Sequence, residues 1–199
     1  MRRPLIVAAL TAVALLGQAV PALATDLAEY LDRAAESEYS GEVLVVCDTP
    51  DGTVAQFVEV TRAAGVLWVR TNSNESVSAD GELYQRAADG TVQATRIDSS
   101  AGWKMSSKYS AFEAGRVREL ERPAQIVTVM EGDVERVTLH FDDATGALLR
   151  SEVRNGDRSL YCSSSFVSFS EESLAFDESV RQGVPETVNV VDSDEIDEE

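Results

Sequence analysis

The sequence predicts a mainly β (α+β) fold: a curved antiparallel sheet or half-barrel of about eight or nine strands with an N-terminal helix on its concave side. Three observations lead there. Only one early stretch has apolar residues at helical spacing. From Gly41 onward the apolar period is two, in short runs rich in β-branched residues. Between the runs lie Asp51-Gly52, Ala64-Gly65, Asp80-Gly81, Asp89-Gly90 and Asn155-Gly156, dipeptides that tolerate the positive φ of tight hairpins.

The helix comes first. Thr25 or Asp26 can cap it, Glu29 stands three residues after Asp26 as in a capping box, and Leu27, Leu31 and Ala34 share one face, so it should run to about Ser37. Strands are expected at 43–47, 54–61, 66–70, 82–86 and 91–97, forming a meander. After Ile97 neither period fits the stretch containing Trp103, Met105, Tyr109 and Phe112, which reads as a loop with one helical turn. Strands resume at 124–130, 134–142, 147–154 and 158–169. A sheet of this size curls to cover its inner face, which is why the helix belongs on the concave side.

The termini stand apart from this domain, which spans 25–170. Arg2 and Arg3, the apolar run from Leu5 to Leu16, Pro21 and the small-x-small box Ala22-Leu23-Ala24 predict a signal peptide over 1–24, cleaved after Ala24. The run stops at Gly17 and Gln18, short of the roughly 20 apolar residues that span a bilayer. Export to the periplasm or another extracytoplasmic part of the cell envelope is therefore expected. At the other end, residues 171–199 hold eleven acidic side chains against Arg181 alone and read as an acidic, disordered tail. A formal net charge of -18 sets the protein against nucleic acid, whose phosphates its field repels.

Candidate chemistry is sparse. One histidine and two cysteines fall short of the usual zinc sites, so neither a metal nor a cofactor is expected. His140 alternates with Leu139 and Phe141; if those two face the core, it points to solvent. Ser163, Ser164 and Ser165 lack the Gly-x-Ser-x-Gly elbow of a serine hydrolase, and no pair among the many carboxylates stands out as acid and base. A non-enzymatic protein is the expectation. Cys47 and Cys162, on the first and last strands, can close a loop of over a hundred residues worth roughly 4 to 5 kcal/mol in an oxidising compartment. Two buried thiols are the alternative.

Two groups of residues make the sequence familiar. Ala34 to Val43, with a helix end, Tyr39-Ser40-Gly41 and then a strand, resembles the start of the N-terminal domain of MucB/RseB proteins. Glu121-Arg122-Pro123-Ala124 resembles that family's Gly-Arg-Pro segment, and Leu139 to Glu152, containing Asp142-Asp143-Ala144-Thr145-Gly146-Ala147-Leu148-Leu149-Arg150-Ser151, resembles its Asp-x-x-Thr-Gly-x-x-Leu-Arg-Ser hairpin. The resemblance covers residues 26 to about 170 and implies a lipoprotein-carrier-like half-barrel. It also implies a periplasmic sigma-factor regulator that binds the outer portion of a membrane anti-sigma factor and releases it when stray lipid appears. The family's smaller second domain has no counterpart here, where the acidic tail follows instead. The alternative implied by the same architecture is a lipid or lipoprotein carrier of the cell envelope. An acyl chain on the concave face would then lie against Val43, Val45, Phe57, Trp68 and Trp103, whose other role is core packing.

Overall fold

The computed structural model describes residues 25–49, 51–72, 74–79, 82–87, 92–96, 109–154 and 161–172. The signal peptide, Trp103, Met105, the turns at 80–81, 89–90 and 155–156, and the tail beyond Glu172 lie outside them.

The one helix among these residues, α1 (Thr25–Glu36), buries Leu27, Leu31 and Ala34 as their spacing requires. It ends where the Ser37 N–H bonds the Arg33 carbonyl and the Ser37 hydroxyl donates to that of Ala34. Eleven strands follow: β1 (Tyr39–Thr49), β2 (Gly52–Ala63), β3 (Val66–Arg70), β4 (Asn74–Ala79), β5 (Glu82–Ala87), β6 (Val92–Arg96), β7 (Tyr109–Glu119), β8 (Arg122–Glu131), β9 (Val134–Asp142), β10 (Leu148–Arg154) and β11 (Tyr161–Ser170). They form one sheet in the order β6-β5-β4-β3-β2-β1-β11-β10-β9-β8-β7, with each neighbouring pair antiparallel. The sheet is thus two meanders, β1–β6 and β7–β11, joined along a seam where the first strand meets the last. It stays open, as a curved half-barrel.

The strand count corrects the expectation of eight or nine. In β4 the positions that share the inner face with Val69 and Leu67 are Ser76 and Ser78, while Val77 and Ala79 face the other way, so no apolar stripe announces the strand. In β7 most side chains are exposed and a bulge at Ala114 interrupts the period, so Tyr109 and Phe112 belong to a strand rather than to the expected loop.

Opposed residues share a face, and the register carries the inner face from Val127 through Leu139, Ser151, Ser164 and Val45 to Gln56. The helix covers the β8–β9 end of this face, packing Leu27, Leu31 and Ala34 on Val127, Val129, Leu139 and Phe141. A second cluster gathers Val43, Val45, Val58, Val60, Leu67 and Val69 with Tyr39, Leu149 and Phe166. Arg62 of β2 ties the two together by donating to the carbonyl of Ala35, one of the helix's last orphan acceptors.

Candidate interaction site and buried polar constellation

The residues proposed for an acyl chain do not gather on one surface. Val43 and Val45 are buried on the inner face within the second cluster. Phe57 stands opposite Leu44 rather than Val43 or Val45, so it belongs to the outer face, where it is 55% exposed. Trp68 also faces outward: it lies between Thr61 and Val77, its indole N–H donates to Glu75 at 2.7 Å, and the Arg70 guanidinium sits over its ring at 5.0 Å. The period of two accounts for the split, since Phe57 and Trp68 each neighbour an inward valine or leucine along the chain.

His140 corrects another expectation. Leu139 and Phe141 do face the core, yet His140 is itself only 9% exposed. Strand β7, absent from the sequence reading, explains this, because its Glu119 carboxylate reaches the His140 Nδ1 at 2.6 Å. Arg150 stands opposite His140 on β10 and binds Glu152, whose carboxyl is lowered: burial raises it, but the hydrogen bond and charge of Arg150 outweigh that.

The two cysteines are joined. Cys47 and Cys162 face each other directly across the β1/β11 seam with Cα atoms 4.1 Å apart, and the disulfide closes a separation of 115 residues.

The segments with the familiar sequence meet in space. Gly41 sits opposite Phe169, just before the register shifts past the extra β11 residue Val167, and a Cβ there would fall 2.2 Å from the Ser168 carbonyl oxygen and 3.0 Å from the Phe166 ring. Beside it, Tyr39 packs edge-on to Phe166 at 5.6 Å and against Phe169 at 5.7 Å, and burial pushes its phenol up. Arg122 lies over Phe169 at 4.9 Å and grips Asp142 with two hydrogen bonds of 2.9 Å. The Asp142 side chain has no exposed surface. It also accepts the Thr145 N–H and hydroxyl at 2.8 Å each, which shapes the turn into β10. Burial raises this carboxyl, but the Arg122 and Thr145 hydrogen bonds prevail and hold it below its ordinary value. The same contacts push Arg122 further up. Arg122 donates to Glu171 at 2.6 Å, and Ser40 donates to the Glu172 carbonyl at 2.7 Å, so the chain beyond β11 starts from this constellation. The tail boundary expected at 171 therefore cuts through two anchored residues.

Sequence reasoning missed three features. Arg62 has no motif around it, and its link to the helix end is invisible locally. The Arg122–Asp142 pair lies in segments recognised as similar without being joined to each other. The outer-face apolar pair of Leu44 and Phe57 lies across β1 and β2, and only the register assembles it. Among the described residues, no cluster of three or more His, Cys, Asp and Glu side chains could hold a metal ion.

No protein-family model matches the chain, and no curated protein matches it in sequence. Solved structures do. An uncharacterized conserved protein from Thermus thermophilus is 15% identical, with a TM-score of 0.54 over 84% of this chain and 99% of that one. MucB is 18% identical, with a TM-score of 0.49 over 79% of this chain, which spans 62% of the length of MucB. The complex of MucA and MucB from Pseudomonas aeruginosa gives 19% identity and a TM-score of 0.44, covering 76% of this chain and 59% of that one. At these identities, what the chain shares with the Thermus protein is its fold.

Proposed function

We propose that this protein is an exported, non-enzymatic regulator of the cell envelope that holds the external segment of a membrane anti-sigma factor. One observation carries the reading. Tyr39-Ser40-Gly41, Arg122-Pro123 and Asp142-x-x-Thr145-Gly146, the segments that resemble MucB/RseB proteins, are far apart in sequence and form one contact chain: Tyr39 to Phe169, Phe169 to Arg122, Arg122 to Asp142, Asp142 to Thr145. A connected constellation of this kind is stronger support than three separate short motifs, since each part is useful only with the others in place. The Cys47–Cys162 disulfide fits an oxidising, extracytoplasmic compartment. MucB itself has been crystallised with MucA.

The alternative, a lipid carrier, receives less support, because Phe57 and Trp68 face away from Val43 and Val45. Both readings meet in one experiment. The mature protein is titrated with the external segment of the membrane protein encoded beside it, at low and high salt, as the full chain and as a chain ending at Glu172. Binding that survives truncation and salt is the expected result and assigns recognition to the folded domain, since exposed charge contacts are screened beyond roughly 8 Å in physiological salt. Absence of binding by the full chain at any salt overturns the proposal. Retention of co-purified or added acyl chains without such binding favours the carrier.

A further inference from the structure

The sheet has two ends, and they differ. At one end lies β6, five residues long; at the other lies β7, eleven residues long, which among the described strands pairs with β8 alone. Alternate residues of β7 send their N–H and C=O groups away from β8, an edge onto which another strand can add. The bulge at Ala114 divides this edge. Before it, β7 lies beside the helix: Tyr109 and Ala111 pack against the helix cluster, and Tyr30 donates to Glu113 at 2.7 Å. After it, the Arg116 and Arg118 side chains are 73% and 72% exposed, while Val117 packs on the core and Glu119 turns to His140.

We propose that this second half of the β7 edge is a docking site for the chain's own C-terminal segment, residues 187–191 adding as a further antiparallel strand beside residues 115–119. Four features fit this occupant. The first is where the chain leaves the fold. Glu171 is held by Arg122, the first residue of β8, immediately past the turn in which β7 ends, and Glu172 is held by Ser40. The second is reach: residues 173–186 can extend over about 45 Å, so the segment can start at the turn and run back along β7. That direction is antiparallel, the relation of every other pair in the sheet.

The third feature is composition. Thr187-Val188-Asn189-Val190-Val191 is a β-prone run of five residues, four of them β-branched, in a tail otherwise dominated by acidic and small residues. Its length equals that of the open edge. The fourth is charge. Glu186, Asp192, Asp194 and Glu195 flank the run, and Arg116 and Arg118 line the edge. Arg116 lies 3.5 Å from Asp143 and donates its Nε–H to Gln125 at 3.3 Å, and Arg118 lies 3.4 Å from Glu121; these long contacts leave most of each side chain in water. The carboxylates of Glu113 and Glu119 are engaged by Tyr30 and His140, which limits their repulsion of an acidic strand. Backbone pairing supplies register; the two arginines supply the salt-sensitive part of the contact.

This pairing is independent of which partner the domain serves, and it would make the edge an internally covered surface that a competing strand must expose. Hydrogen exchange tests it in the full mature chain, in a chain lacking residues 183–199, in Val188→Pro/Val190→Pro and in Arg116→Ser/Arg118→Ser. The expected result is that amides within 115–119 exchange at least about tenfold faster in the truncated chain and in the proline variant, with β1, β9 and β11 unchanged. The serine variant and high salt should give a partial version of the same change, and a synthetic peptide of residues 183–199 should restore protection to the truncated chain. Equal exchange of 115–119 in the full and truncated chains, with no effect of the peptide, identifies a solvated tail and overturns the proposal. Protection that survives truncation and rises with protein concentration overturns it too, in favour of a second copy at this edge.

Discussion

On either side of the β1/β11 seam the chain builds the same topology from different materials. The β7–β10 side carries the helix on its inner face and a buried, bidentate Arg122–Asp142 pair at its end. On the β2–β6 side, Val58, Val60, Leu67 and Val69 supply the apolar part of the inner face, and the outward charges form a ladder in which Glu59 bonds Arg70, Trp68 bonds Glu75, and Glu75 lies 3.6 Å from Arg86. The Asp142 charge has been removed from water and must keep its partners; the Glu59–Arg70 pair remains half in water and is dispensable. The lesson is that identical strand order says little about where a sheet is vulnerable.

The seam sets the largest effect. Replacing Cys47 and Cys162 by serine frees the unfolded chain from a cross-link spanning 115 residues, and should lower stability by about 4 kcal/mol, read from urea unfolding of the oxidised protein against the variant. A loss well under about 1 kcal/mol would mean that the β1/β11 pairing holds the halves without the staple. The next largest effect separates the two sides directly. Arg122→Ala leaves the Asp142 carboxylate buried with only Thr145 as donor and should cost about 3 kcal/mol, whereas Arg70→Ala, which frees a half-exposed Glu59, should cost under about 1 kcal/mol. Equal losses would erase the distinction.

Acid sharpens the same contrast. The folded Asp142 carboxyl is held below its ordinary value of 3.8, so its contribution is present above that pH and is lost as pH falls through the folded value. Stability should therefore decline in acid below about pH 4, and Arg122→Ala should flatten that decline, because its Asp142 keeps only the Thr145 donors and loses the hydrogen bonds and charge of Arg122 that lower it. Unfolding midpoints measured from neutral pH downward give the two slopes. Parallel slopes would show that other carboxylates carry the acid sensitivity.

How much of this could be read in the sequence follows the same division. Strands whose inner positions are apolar declare themselves: β3 and β9 have the expected bounds, and the helix ends one residue early. β4 does not, since Ser76 and Ser78 occupy its inner positions, and β7 does not, since Arg116, Arg118 and Glu119 mask an edge strand as a loop. The missing β7 then hides the partner of His140 and turns a buried side chain into an expected surface one. Face assignment fails for a different reason. Phe57 and Trp68 are large and apolar, which marks them for burial, but size does not say which way a residue points; only parity with Val58 and Leu67 does. Long-range pairs such as Arg62 with Ala35 leave no local trace at all.

The smallest expected effect lies in two turns that match in geometry and differ in chemistry. Ala63 pairs with Val66 around Ala64 and Gly65, with φ of 48° and 78°; Glu119 pairs with Arg122 around Leu120 and Glu121, with φ of 50° and 61°. Both are two-residue hairpins with two left-handed residues, the geometry that asks for glycine at the second position. The β2–β3 turn has that glycine. The β7–β8 turn has Glu121, at the place where the Gly-Arg-Pro segment it resembles has glycine, and carries about 1 to 2 kcal/mol of left-handed strain for it. The Glu121 side chain gives little back, being 92% exposed and 3.4 Å from a largely exposed Arg118. Glu121→Gly should therefore stabilise the protein by roughly 0.5 to 1 kcal/mol after the added freedom of the unfolded chain is subtracted, raising the melting temperature by about 1 to 4 °C. Gly65→Ala should do the reverse by a similar amount. Opposite shifts from the two substitutions would establish that turn strain, not the neighbouring charges, distinguishes these hairpins; a loss of stability in Glu121→Gly would mean that Glu121 contributes to the end of β7 through its side chain.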